Sequence, residues 1–79
     1  MSLSDKTRRL SNMAAGSSGT VVRVMRDNSD RADRLMALGV TPGASVTVLQ
    51  RFPGVVFLCD HTELAVEPAV AKAIVVEVE

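Results

Sequence analysis

The residues of this sequence that could bind a metal ion lie together in the short stretch Cys59-Asp60-His61. A cysteine thiolate and an imidazole are good ligands for zinc and other transition metals, and the carboxylate of Asp60 or Glu63 could supply a third. A stable site needs three or four ligands in fixed geometry, and the chain has one cysteine and one histidine in all. Cys59 and His61 are therefore weak candidates for transition-metal binding, and the alternative is a buried apolar thiol beside a solvated turn.

The other side chains offer little support for catalysis. A single histidine restricts general acid-base chemistry, and no serine stands in a strand-turn-helix elbow. The stretch 16–20, GSSGT, lacks the lysine of a phosphate-binding loop and precedes a strand-like run instead of a helix. We therefore predict a protein that is not an enzyme and that has no resident cofactor.

Composition limits the partners that the chain can have. Its 79 residues suffice for one domain, and nine basic residues balance nine acidic ones, so the positive charge of a nucleic-acid binder is missing. The only aromatic residues are Phe52 and Phe57, which leaves no set of stacking platforms for bases. The single cysteine, the polar N-terminal residues and the shortness of every apolar run predict a cytoplasmic protein that does not insert into a membrane.

Residue patterns predict a mostly β fold of about five strands with one short inserted helix. Residues 1–9, which are polar with a small basic cluster, are expected to form a flexible arm, and residues 10–79 a single domain. The helix is expected to start at the N-cap Asp30 and to present an apolar stripe of Ala32, Leu35 and Met36. Because an open sheet this apolar would expose its edges, we predict a small closed barrel. Runs of alternating or β-branched residues predict strands at 20–26, 44–51, 54–59, 63–67 and 73–79.

The connection from the helix to the next strand is the most constrained part of the sequence. Gly39 can adopt the left-handed conformation that ends a helix, with Val40 packing back on Leu35. Pro42-Gly43 suits the central positions of a type II turn. The pattern predicts two chain reversals within five residues, held by Gly39, Pro42 and Gly43.

This connection and the strands around it resemble the ferrous-iron transport protein A (FeoA) family, from about residue 10 to residue 77. The resemblance implies an SH3-like barrel and a small cytoplasmic, non-enzymatic accessory protein of ferrous-iron uptake. The implied partner is the cytoplasmic GTP-binding part of an Fe(II) permease, which the protein would modulate. The short loop RFPGVVF and the turn Cys59-Asp60-His61 depart from the family pattern. The most specific element of the family pattern matches at Arg34, Leu35, Leu38, Gly39, Val40, Pro42, Gly43, Val46 and Val48, and further matches are Gly16, Gly19, Val21, Leu64, Ala65, Ala71 and the final strand AIVVE.

Two other functions remain open alongside that interpretation. The same domain type occurs at the C-terminus of iron- and manganese-dependent repressors, so a free-standing regulatory domain of that type is one alternative. A metal-responsive binding protein is the other, with Cys59 and His61 of several copies brought together in a homo-oligomer.

Residues around the helix are the candidates for contacting a protein partner. Exposed apolar side chains would anchor the contact, and arginines on the rim would guide the encounter. The alternative is an ordinary charged surface in which Asp30 and Asp33 accompany the arginines. The candidate partner-binding residues are Arg31, Arg34, Met36, Leu38, Val40 and Arg51.

Overall fold

The computed structural model describes residues 6–27 and 29–79. Within that part of the chain, the strands are β1 (Thr7–Arg9), β2 (Ser18–Val24), β3 (Ser45–Gln50), β4 (Val55–Cys59), β5 (Thr62–Val66) and β6 (Ile74–Val78). The helices are α1 (Arg31–Ala37) and α2 (Pro68–Ala71), and a 3-10 turn spans Leu10–Asn12. The six strands form one antiparallel sheet in the order β1-β6-β2-β3-β4-β5. The prediction of a mostly β fold is confirmed, with one strand more than the patterns indicated.

The additional strand lies where the sequence predicted a flexible arm. Thr7–Arg9 pairs antiparallel with β6, so that Thr7 lies opposite Glu77 and Arg9 opposite Val75. The prediction of a flexible arm is therefore wrong for these residues, while residues 1–5 lie outside the described part of the chain. Leu10, the next residue, is completely buried and holds this segment against the core. A short polar strand has no apolar periodicity to reveal it, since its pairing depends on main-chain groups.

The sheet curves around its core, but its strands do not form a complete ring of hydrogen bonds. The pairing of β2 with β6 shifts register between Val21 and Arg23, and such bulges bend and twist a sheet. No strand pairing in the described residues joins the two edge strands, β1 and β5. The closure predicted from patterning is thus incomplete in its backbone pairing. Leu10 in the 3-10 turn and Ala71 in α2, two elements that contact each other, are completely buried and complete the core.

The core is built from alternate residues of the strands, as the period of a half-buried strand requires. Phe57 in the middle of β4 is its largest fully buried side chain, and Val48 lies opposite on β3. Phe52 does not continue this alternation, and its side chain is 85% exposed. The reason is that β3 ends at Gln50, after a register shift in its pairing with β4.

Helix α1 begins at the predicted residue but without the predicted cap. Asp30 occupies the N-cap position, yet its side chain makes no capping hydrogen bond and instead pairs with the Arg34 guanidinium at 3.3 Å. The main-chain N–H of Arg31 donates to the hydroxyl of Ser29 at 3.2 Å. A neighbouring serine thus satisfies one of the free N–H groups at the start of the helix.

Candidate docking surface at the helix exit

The end of α1 has the geometry that the sequence predicted. Gly39 has φ of 99°, a left-handed value that a side chain would strain. Its N–H donates to the carbonyl of Met36 at 3.0 Å, and the N–H of Val40 donates to the carbonyl of Leu35 at 2.9 Å. These two hydrogen bonds define a Schellman motif, and the buried side chains of Leu35 and Val40 provide its apolar contact. The helix exit is therefore fixed by local interactions.

A second turn follows at once and connects the helix exit to the sheet. The N–H of Ala44 donates to the carbonyl of Thr41 at 3.0 Å, and Gly43 has φ of 95°, as a type II turn requires. The N–H of Gly43 donates to the carbonyl of Val21, and the N–H of Val21 donates to the carbonyl of Ala44, both at 2.8 Å. Because these two hydrogen bonds join the turn to β2, the end of α1 is held in position against the barrel.

Two of the six candidate partner-binding residues, Val40 and Arg51, are not part of an exposed surface at the helix exit. Val40 is 0% exposed, so its inclusion was wrong: the motif that ends the helix also turns this side chain into the core. Arg51 is exposed but lies just beyond the far end of β3. That strand starts at Ser45, beside the 60–61 turn, and its six residues span about 20 Å. The Arg51 guanidinium donates to the carbonyl of Ser11 at 3.2 Å, away from the helix exit.

The other four candidates lie on two flanks of α1. Successive helical residues are about 100° apart, so spacings of three and four place Arg31, Arg34 and Leu38 on one flank. Leu38, the C-cap residue in helical conformation, is 55% exposed there. Met36 lies on the other flank, where its sulfur is 3.6 Å from the guanidinium of Arg26. We call Arg31, Arg34 and Leu38 the helix-exit patch.

The charges around α1 are held by exposed ion pairs. Arg34 pairs with Asp30 at 3.3 Å and Arg26 with Asp33 at 2.8 Å, and all four side chains are mostly in solvent. Such pairs contribute about 0–1 kcal/mol each, so a partner can replace them at small cost. The arginines of the helix-exit patch are therefore available to an incoming acidic surface.

The candidate metal ligands do not converge. Cys59 is 3% exposed, and its thiol donates to the carbonyl of Gly39 at 3.4 Å, whereas His61 is exposed. Between them, Asp60 has φ of 55°, and its carboxylate accepts the N–H of Ser45 at 3.1 Å. Within residues 6–27 and 29–79, no group of three or more His, Cys, Asp and Glu side chains is placed to hold a metal ion. Cys59 thus connects β4 to the helix exit.

Burial of Cys59 has a chemical consequence that can be measured. Desolvation raises the pKa of its thiol, and the neighbouring Asp60 carboxylate adds to the rise. Because only the thiolate reacts with iodoacetamide, and because the buried sulfur is also shielded from the reagent, we expect alkylation at pH 8 to be at least about tenfold slower in the folded chain than in urea. Mass spectrometry over time measures both rates. His61→Ala should leave the folded rate unchanged, and equal rates in the folded and unfolded chains would contradict the prediction.

Sequence reasoning missed the apolar residues at the opposite end of β3. Phe52 is 85% exposed and Leu49 is 43% exposed, and both lie at or near the loop between β3 and β4. The signal was present in the pair Pro53-Gly54, because a proline-glycine turn ends a strand and places the preceding residue outside the sheet.

With this geometry established, the family of the chain can be assigned. A family model described as the FeoA domain matches residues 8–78, from β1 to the end of β6. The chain belongs to the FeoA domain family. Comparison with curated proteins finds no match. No helix in the described part of the chain is long and apolar enough to cross a membrane.

Solved structures with the same fold support the assignment to FeoA. The FeoA protein of Chlorobium tepidum is 30% identical, with a TM-score of 0.79, over 90% of this chain and 70% of that one. Stenotrophomonas maltophilia FeoA, solved with zinc and described as an SH3 domain protein, is 26% identical over 89% of this chain and 93% of its own, with a TM-score of 0.79. A manganese-dependent transcriptional repressor shares the fold at 22% identity and a TM-score of 0.84, over 92% of this chain and 42% of its own. The predicted SH3-like fold is confirmed.

Proposed function

We propose that this FeoA-family chain is a cytoplasmic accessory protein of ferrous-iron uptake that docks on the cytoplasmic GTP-binding part of an Fe(II) permease and modulates it without catalysis. Family membership supports this proposal, as does the description of the Stenotrophomonas maltophilia relative as a candidate ferrous iron transport activating factor. The observation that carries the docking step is the helix-exit patch, in which Leu38 is 55% exposed on the same flank as Arg31 and Arg34.

Leu38 has the properties of an interface anchor. Its N–H donates to the carbonyls of Arg34 and Leu35, both at 3.1 Å, so its main chain is ordered before any partner arrives. Binding to such a fixed side chain loses little conformational entropy. Burying a leucine that was exposed contributes about 2 kcal/mol. The partner surface that fits is an apolar depression with acidic residues on its rim, where Arg31 and Arg34 set orientation and association rate.

Replacing Leu38 with serine is expected to weaken binding to the cytoplasmic domain of the permease about 30-fold. The loss corresponds to about 2 kcal/mol of apolar burial. Titration calorimetry of the two purified proteins, with and without guanine nucleotide, measures the dissociation constant.

Met36→Ser is the matched control, because Met36 is 40% exposed on the other flank of α1. We expect it to change affinity less than about threefold, as surface substitutions outside an anchor do. Equal losses in the two variants would assign the contact to α1 as a whole and contradict the role of the helix-exit patch. Failure of the unaltered chain to bind at about 50 μM, a concentration at which weak specific complexes form, would overturn the docking proposal.

The metal-responsive alternative has weaker support. The thiol of Cys59 is buried and donates to the carbonyl of Gly39, while His61 is exposed in the 60–61 turn. Binding one metal ion with both would require Cys59 to leave the core, at the loss of its burial.

A further inference from the structure

The loop between β3 and β4 carries an isolated, protruding aromatic side chain. Of the two phenylalanines in the chain, Phe57 is 0% exposed and Phe52 is 85% exposed. Arg51 holds the start of this loop against the barrel through its hydrogen bond to Ser11 at 3.2 Å. One exposed apolar residue is common on a protein surface. What distinguishes Phe52 is that a cleft opens at the same end of the barrel.

That cleft is a cavity of about 650 Å³ between the 12–17 segment and the end of β6. Its volume falls within the range of cavities that hold ligands or side chains. Its apolar lining residues are Ala14, which is exposed, Val78, which is half-buried, and Met13, which is almost fully buried. The charged residues that line it are Lys6, Arg8, Glu77 and Glu79.

Phe52 and the cleft lie at the same end of the barrel. Arg51 donates to Ser11, whose neighbour Asn12 lines the cleft. The N–H of Val48, near the end of β3, donates to the carbonyl of Ser17 at 3.0 Å, and Ser17 also lines the cleft. The strand that leads to Phe52 therefore runs beside one wall of the cavity.

We infer that the chain forms a weak, two-fold symmetric dimer in which Phe52 of each copy enters the cleft of the other. A two-fold interface requires one surface that is complementary to itself. A protruding side chain at the same end of the barrel as a cavity meets this requirement, because rotation about an axis between them exchanges the two. This inference does not rest on the proposed function, since the helix-exit patch lies at the other end of β3.

Charge favours a second copy as the occupant. The formal net charge is zero, so two copies do not repel each other at long range. Arg51 adjoins Phe52, while Glu77 and Glu79 line the β6 side of the cleft. In the dimer, Arg51 of one copy faces Glu77 of the other, twice by symmetry. Lys6 and Arg8 line the cavity as well, so the acidic surface is confined to its β6 side.

The expected dimer is small and reversible. A weak interface buries less than about 1,200 Å² in total, or about 600 Å² on each copy. For a chain whose accessible surface is 4970 Å², that is about one eighth of the surface. An interface of this size is compatible with a dissociation constant of about 100 μM.

Sedimentation velocity of the full chain between about 10 μM and 1 mM tests the inference. We expect a concentration-dependent shift from monomer to dimer, and a loss of at least about 30-fold in association for Phe52→Ser, because a central aromatic anchor contributes most of such an interface. Leu38→Ser is the matched control, since it removes an exposed apolar residue at the other end of the barrel, and it should leave association unchanged.

A charge-exchange pair tests the orientation of the two copies. Arg51→Glu and Glu77→Arg should each weaken association, and the double variant should restore it, because the exchanged pair meets across the interface. Restoration also separates the contact between copies from the lost Arg51–Ser11 hydrogen bond, which the double variant still lacks.

The inference would be overturned if the chain stayed monomeric at about 1 mM, ten times the expected dissociation constant. It would also be overturned if Phe52→Ser left the dimer intact, or if Phe52→Ser and Leu38→Ser weakened association equally. Failure of the double charge-exchange variant to restore association would overturn it as well. A chelator should have no effect on association, because Cys59 and His61 lie at the opposite end of β3 from Phe52. Loss of the dimer on chelation would indicate a metal-bridged assembly instead.

Discussion

Phe57→Ala is expected to lower the free energy of unfolding by about 4 kcal/mol. Removing a fully buried phenylalanine costs about 3–5 kcal/mol through lost apolar burial and the cavity left behind. Phe57 is 0% exposed and lies in the middle of β4, paired with Val48 on β3 and Leu64 on β5. A domain of 79 residues has a total stability of only about 4–12 kcal/mol. Urea denaturation followed by circular dichroism should show a midpoint lowered by about 2–4 M, or a chain unfolded without urea.

The chain supplies a matched control for that substitution. Phe52→Ala removes the same atoms from a side chain that is 85% exposed, so we expect a change within about 0.5 kcal/mol. The control should be measured at about 5 μM, far below the expected dissociation constant of the Phe52-mediated dimer, so that self-association does not contribute. Similar losses in Phe52→Ala and Phe57→Ala would contradict the assignment of Phe57 to the core and Phe52 to the surface.

The features predicted correctly from the sequence are those that local interactions determine. Gly39 ends α1, and Gly43 completes the turn that follows, because each hydrogen bond of these two motifs joins residues at most five positions apart. The strands after the turn could be located in the same way, since alternation of apolar residues records which face of each strand is buried.

The two features that were missed have different causes. Strand β1 exists because β6, distant in sequence, offers it a free edge, and nothing within Thr7–Arg9 indicates that pairing. Asp30 was expected to cap α1 with its side chain, but a local ion pair to Arg34, four residues later, replaces the cap. The carboxylate of Asp30 suits either role, so its residue type does not decide between them.

The candidate docking surface could be only partly predicted, for a related reason. The choice of α1 placed Leu38, Arg31 and Arg34 correctly on an exposed element, but the flank that each occupies depends on which side of the helix packs on the sheet. Val40 could have been excluded from the sequence alone, because packing against Leu35 is part of the motif that ends the helix. Arg51 could not, since its distance from the helix exit follows from the direction of β3.

Gly19→Ala is expected to lower the free energy of unfolding by about 3 kcal/mol, at the upper end of the range for overpacking. Gly19 is buried in β2, and a Cβ there would collide with the main-chain carbonyl oxygen of Glu77 and come within 2.6 Å of Val76 Cγ1. A side chain can rotate away, but the carbonyl belongs to the β2–β6 pairing, so relief requires the two strands to separate. Calorimetry should show a melting temperature lower by about 15 °C.

Gly54→Ala is the control, because its Cβ would meet only the Val66 carbonyl oxygen at 3.4 Å, and the substitution should cost less than about 0.5 kcal/mol. Equal losses in the two variants would show that the close approach of β2 to β6 is not the cause.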